Sequence, residues 1–274
     1  MEPMMLLVLL LISVGAGIVG ALFGLGGGII FVPVLTIIFG QDATTAAAAS
    51  LVGIVATSTG SAKRYVKKGL SNVRLGMLME ITTTVGAIIG AIIATYMANW
   101  ALLVVFSMVM LYSGIKMAMS PEKIIAEEEG SSDMTFRYSD PASGVENRPY
   151  TVKNCKSGMA LCTIAGAVSS MTGVGGGSIK VPLMNIYMHI PIKVASATSN
   201  YMIGITAFSG AIIYFIQGAI SYQIAATVAI GAYFGAILGT KISERVNASA
   251  IKRYMSVVFF FICIIMLAKA GGYL

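Results

Sequence analysis

The twenty residues from Met4 to Phe23 carry no charged side chain, and that run narrows the fold more than any other feature. As a helix it covers roughly 30 Å at about 1.5 Å per residue, the thickness of a bilayer's hydrocarbon core. Val73–Met97 is a second long apolar run. In lipid no water is present to bond the backbone, so spanning segments are helices or strands of a closed barrel. Barrel strands are about ten residues of alternating character, unlike these continuous runs. With 57% hydrophobic and 11% charged residues, the chain has too little polar surface to cover a soluble domain of 274 residues. The expected fold is an all-α polytopic membrane protein. Met4–Phe23 is read as mature structure rather than a signal peptide, since it lacks a basic n-region, the one charge before it being Glu2, and it has a counterpart later in the chain.

The net charge is +7, but its placement argues against nucleic acid. Most lysines and arginines lie in short loops beside apolar runs, where basic residues fix membrane orientation. Cys155, Cys162 and Cys263 are scattered, without metal-type spacing or a disulfide frame, and His189 is the one histidine. No nucleophile–base pair or ligand cluster falls inside a span, so neither an enzyme nor a metal or cofactor is expected.

The sequence GLGGGIIFVPVL, Gly24 to Leu35, has a second version, GVGGGSIKVPLM, from Gly173 to Met184. The offset of 149 positions holds without a gap. It pairs Val32-Pro33 with Val181-Pro182, Ser50 with Ser199, Thr57 with Thr206, Gly69 with Gly218, and Gly86 and Gly90 with Gly235 and Gly239. The chain is a duplication: repeat 1 is residues 1–119 and repeat 2 is 153–274. Each reads as a glycine-broken segment, re-entrant or hairpin, followed by three transmembrane helices. The segments fall at about 5–39, 44–63, 73–97 and 101–118, then at about 157–189, 194–217, 221–241 and 251–268. Between the repeats, 120–152 holds seven of the eleven acidic residues and reads as a hydrophilic, mobile linker without an active site.

Charge sets the expected topology. The loop after the second segment of repeat 1 contains Lys63, Arg64, Lys67, Lys68 and Arg74, whereas its counterpart Gln217–Tyr222 has no charge. The positive-inside rule then makes the first loop cytoplasmic and the second external, so the repeats are inverted. This trace puts 16 of the 18 basic residues and the linker inside, leaving Lys180 and Lys269, with both termini outside. Inverted repeats whose broken helices meet at mid-membrane are a common architecture of secondary transporters.

Three consecutive glycines serve no helix face, whereas an unwound turn with exposed N–H groups uses them. The expected substrate-binding breaks are Gly26, Gly27, Gly28 and Gly175, Gly176, Gly177, with Pro33 and Pro182 as structural residues; close packing of helices is the competing role. Neither run fits G-x-G-x-x-G, which argues against a nucleotide. Short helices starting near Ile29 and Ser178 would aim their N-terminal dipoles at an anion. Lys180 falls in the first turn of the second, where a cation is disfavoured unless an anion accompanies it; snorkelling to the interface is the alternative. Ser178, Ser50, Ser199 and Asn200 are further candidate substrate ligands, although hydroxyls also bond back to their own helix. Glu80 is either a proton carrier or an interfacial carboxylate. His189, before Pro191, is assigned to a loop, and Asp42 and Lys269 to boundaries.

The doubled GxGGG-x4-P-x-L pattern, with Met184 in place of the last leucine in the second copy, resembles the TauE/SafE sulfite exporter family. The resemblance covers both membrane halves and implies a substrate class of sulfite, sulfonates such as sulfoacetate, and related sulfur-containing anions. The combined expectation is a secondary transporter in the cytoplasmic membrane exporting such an anion by alternating access. A permease for another small anion and a non-transporting scaffold are the alternatives. The sequence does not choose between monomer and homodimer, name the sulfur anion, or decide proton coupling.

Overall fold

A computed structural model of the chain describes residues 3–119, 135–140, 145–243 and 245–271. Repeat 1 comprises α1 (Pro3–Phe23), α2 (Gly28–Pro33), α3 (Ala43–Lys67), α4 (Val73–Thr95) and α5 (Asn99–Met119). Repeat 2 comprises α6 (Cys155–Thr172), α7 (Gly177–Pro182), α8 (Ile192–Ile216), α9 (Tyr222–Ser243) and α10 (Ala248–Ala270). Seven of these helices, α1, α3, α4, α5, α8, α9 and the Arg253–Ala270 part of α10, are long and apolar enough to cross a membrane. The protein is an all-α polytopic membrane protein, and its surface agrees: Leu11, Ile81, Ile164, Phe208, Phe261 and Ile264 are all more than 60% or more than 50% exposed, an apolar exterior suited to lipid.

Each short helix is stopped by its own proline. Pro33 and Pro182 have no N–H and crowd the preceding turn, and directly after them the helix widens into π turns at Val34–Ile38 and Leu183–Tyr187. The Thr36 hydroxyl donates to the carbonyls of Val32 and Pro33 beside the distortion. With its π turn, Gly28–Ile38 is too short to span. Side-chain caps start the next helices: Asp42 accepts from the Thr45 N–H at 3.0 Å, and Asn72 from the Leu75 N–H at 3.1 Å.

The duplication read from the sequence reappears as matched contacts. A Cβ at Gly86 or Gly90 would meet the carbonyls of Thr163 and Ala167 on α6; at Gly235 or Gly239 it would meet those of Val14 and Ile18 on α1. Every member of the first set lies 149 positions from one of the second. The Tyr65 hydroxyl donates to the Ala21 carbonyl (2.9 Å) and Tyr214 to that of Ser170 (3.0 Å), again at that offset. At the centre α3 and α8 cross in antiparallel register, since Ser58 bonds the Asn200 carbonyl while Gly210 lies over Leu51. These two repeat-related helices therefore run in opposite directions where they cross.

Between the repeats the described residues include an element not anticipated from the sequence, an antiparallel hairpin of β1 (Thr135–Asp140) with β2 (Val145–Thr151). Tyr138 and Tyr150 pack edge to face at 5.9 Å, and the Tyr150 hydroxyl accepts from the Asn72 side-chain amide at 2.9 Å. That contact docks the hairpin on the start of α4. Most of the acidic residues expected there, including Glu122 and Glu127 to Glu129, lie outside the described residues.

Candidate functional site

Both glycine runs are genuine breaks. Gly24, Gly26 and Gly27 have φ of 75°, 73° and 86°, and Gly173, Gly175 and Gly176 have 71°, 81° and 74°. These are left-handed conformations that cost other residues about 1–2 kcal/mol each. Helix resumes at Gly28 and Gly177, one residue before the expected starts.

The breaks lie against each other at the crossing of α3 and α8. A Cβ on Gly28 would be 2.5 Å from the Gly173 carbonyl, and one on Gly177 would be 2.2 Å from that of Gly24. Ile54 and Ile203, mid-helix and repeat-related, both border Gly26. Thus the packing role and the break role coexist in the same residues. In this conformation the breaks are closed on each other.

Ser50 and Ser199 do not bond back to their own helices. Ser50 Oγ donates to the Gly173 carbonyl at 2.5 Å, and Ser199 Oγ to that of Gly24 at 2.7 Å. Each hydroxyl thereby secures the break of the opposite repeat. Asn200 donates to the Ala21 carbonyl at 2.7 Å, while its buried Oδ1 has no partner.

Lys180 is fully buried, so its ammonium does not snorkel to the protein surface, and Glu80 is only 4% exposed. They meet: Lys180 Nζ lies 3.2 Å from Glu80 Oε2. Lys180 also donates to Thr206 Oγ1 at 2.7 Å, and Thr206 donates to Glu80 Oε1. The three side chains come from α7, α4 and α8. The hydroxyls of Ser169, Ser170 and Ser178 are buried without a partner; Ser169 and Lys180 both border Gly176, and Ser170 borders Gly210. Sequence reading missed the pairing and also Thr206, Ser169 and Ser170. The repeat comparison contains a signal: the positions matching Lys180 and Glu80 are Phe31 and Ala229, so the two charges are absent together from the equivalent pair of positions.

His189 sits in the turn before α8 with φ of 57°, matching Gly40 at 62° in repeat 1, which is a loop position as expected. Asp42 caps α3 and Lys269 lies in the last turn of α10. Among the described residues no group of three or more His, Cys, Asp or Glu is placed to hold a metal.

Paired helix breaks around a buried charge cluster, inside a shell of apolar helices, are the features of a membrane transporter. The sequence model of the family described as Sulfite exporter TauE/SafE matches residues 9–266, and the chain belongs to that family. It is 30% identical over 268 residues to a probable membrane transporter protein of Bacillus subtilis, YunE, covering 94% of this chain and 96% of that one. A probable membrane transporter protein of Methanocaldococcus jannaschii is 26% identical, over 92% of each chain. The Sulfite exporter TauE/SafE family protein 5 of Arabidopsis thaliana is 28% identical over 42% of this chain and 27% of its own length. No solved structure matches.

Proposed function

We propose that this membrane transporter is a secondary exporter of a small sulfur-containing anion, sulfite or an organosulfonate such as sulfoacetate, working by alternating access. The observation that carries the proposal is the meeting of the two breaks, tied across the repeats by Ser50 and Ser199, beside the buried Lys180 and three unsatisfied hydroxyls. Buried polar groups without partners are uncommon in native proteins, and a cation with a free hydroxyl near it, as Lys180 and Ser169 share the border of Gly176, suits an oxyanion. The closed contact of Gly24 with Gly177 and Gly28 with Gly173 must open to admit one. Movement of the two halves against each other, reversed in sense on the two membrane faces, supplies that opening. The sulfur class follows the family's description and the printed name of the plant relative.

The inverted membrane topology belongs to the same proposal, supported by the antiparallel crossing of α3 and α8 and by the basic loop after α3. A negative interior drives an anion outward by about 2.3 kcal/mol per charge per 100 mV. Sulfite flux from proteoliposomes, wild type against Lys180→Met, tests the function. Flux in the wild type and its loss in the variant are expected. Absent wild-type flux rules out that substrate, and unchanged flux in the variant removes Lys180 from the site. Cysteines placed at Gln41 and Ser221 are expected to label from the same, external face; labelling from opposite faces refutes the inversion.

A further inference from the structure

The Lys180–Glu80 pair is surplus to the scaffold. Its counterparts at the 149-residue offset are Phe31 in repeat 1 and Ala229 in repeat 2, and at that junction Phe31 is 1% exposed and well packed against Gly53. The equivalent of Thr206, Thr57, simply bonds back to Gly53 on its own helix at 3.0 Å. The fold thus builds the same junction from apolar groups alone. A buried ion pair generally adds no stability over well-packed apolar residues, whereas losing one partner of it is costly. Two opposite charges, one from each repeat, introduced together at one of two equivalent junctions, beside the break, call for a role that uses both.

The role follows from charge balance. The pair is neutral as it stands. An anion that takes Lys180 Nζ must displace Glu80, and a carboxylate stripped of its cation in a dry interior is strongly disfavoured. Protonation removes that charge. We infer that Glu80 is a proton-binding coupling site: each anion bound at Lys180 releases the Glu80 carboxylate, which takes up one proton from the side then open.

The inference rests on the anion-transport reading above. In the loaded state the anion is paired with the Lys180 ammonium and Glu80 is a neutral carboxylic acid. Thr206, which now links the two, remains as a partner for the acid. When the anion leaves on the opposite face, the ammonium returns to Glu80 and the proton departs on that face. No electrons move, and one proton accompanies each anion in the same direction. A dianion then carries one net negative charge per cycle, so the membrane potential still drives its export, while a proton gradient directed inward opposes it. A monoanion would move without net charge. Cys162 on α6 is the further titratable group that feels both charges. On α5, Tyr112 and Lys116 line a separate groove with Ile179 and Pro182, and on α8, Tyr201 lies against Gly76 and Tyr214 bonds Ser170.

The test counts protons. Full-length protein is reconstituted in vesicles with a trapped pH dye, and flux of sulfite and of sulfoacetate, whose acid groups are both ionised at neutral pH, is followed beside the dye. The inference expects one proton per sulfoacetate in the wild type. Glu80→Gln, which copies the protonated acid, should retain anion–anion counterflow and lose proton movement. For sulfite, the difference in proton count between wild type and Glu80→Gln is the readout, because it cancels sulfite's own protonation. Wild-type flux with no accompanying proton, or an unchanged count in Glu80→Gln, overturns the inference and leaves the transport reading standing. No wild-type flux of either anion defeats the transport reading, and this inference with it. The double variant Glu80→Ala/Lys180→Phe, which copies the equivalent apolar junction of Phe31 and Ala229, guards against misfolding: it should remain monodisperse and carry neither anion nor proton, and retained coupled flux in it overturns the assignment.

Discussion

The two breaks share a backbone and differ in chemistry. Six glycines take nearly the same left-handed angles at matching positions, prolines end both short helices, and each break is held by a serine from the other repeat. Against this sameness, one junction is filled by Phe31 and the other by the Lys180–Glu80–Thr206 cluster. In the proposed mechanism the duplicated part specifies how the halves meet and move, and the unduplicated part specifies what they carry. Substitutions at matched positions separate these two contributions.

The largest effect is expected at the charge cluster. Lys180→Met alone leaves Glu80 buried without its cation and should cost about 3–5 kcal/mol of stability, whereas Lys180→Phe/Glu80→Ala should be neutral or stabilising. Thermal unfolding in detergent compares them. A double variant as damaged as the single would show that the pair is structural, and the contrast between the breaks would lose its functional meaning.

Next come the glycines where the breaks touch. Gly28→Ala and Gly177→Ala each push a methyl group into the opposite break's carbonyl and should cost about 1–3 kcal/mol. Similar losses are expected because the contacts are repeat-related. Smaller again, Tyr65→Phe and Tyr214→Phe each delete one hydrogen bond to a matching carbonyl, at about 1 kcal/mol. A large cost in one tyrosine variant and none in the other would break the symmetry of the scaffold.

The smallest effect concerns the hairpin, which joins the repeats and so belongs to neither. Burial pushes the Tyr150 hydroxyl up to about 12 from its ordinary 10.0, against the lowering influence of its bond with Asn72. The folded state therefore holds this proton more tightly than the unfolded one. Docking is unaffected by this group below pH 10.0 and weakens as pH rises from 10.0 toward 12. Tyrosine ultraviolet absorption should show Tyr150 ionising after the exposed tyrosines, and Tyr150→Phe should remove that late step.

Much of this arrangement is legible in the sequence, and the reason is local. Consecutive glycines followed by a proline restrict the backbone wherever they occur, so the breaks and their helix starts can be read without tertiary information. The 149-residue register likewise anticipated which residues behave alike, including His189 in the turn that Gly40 makes in repeat 1. It did not reveal what they touch. Ser50 and Ser199 share a role, but their partners depend on how α3 and α8 cross. Glu80 and Lys180 are a hundred positions apart, and each looked anomalous alone; only the fold shows that each answers the other. The hairpin was obscured by its acidic neighbours, whose composition outweighed the alternating aromatic pattern of Phe136, Tyr138 and Tyr150.

The most direct measurement is a structure of the protein with sulfite or sulfoacetate bound. The account predicts the anion within hydrogen-bond reach of Lys180 Nζ, with Glu80 withdrawn and the contacts of Gly24 with Gly177 and Gly28 with Gly173 opened. An anion bound elsewhere, with the Lys180–Glu80 pair intact and the breaks still closed, would contradict it.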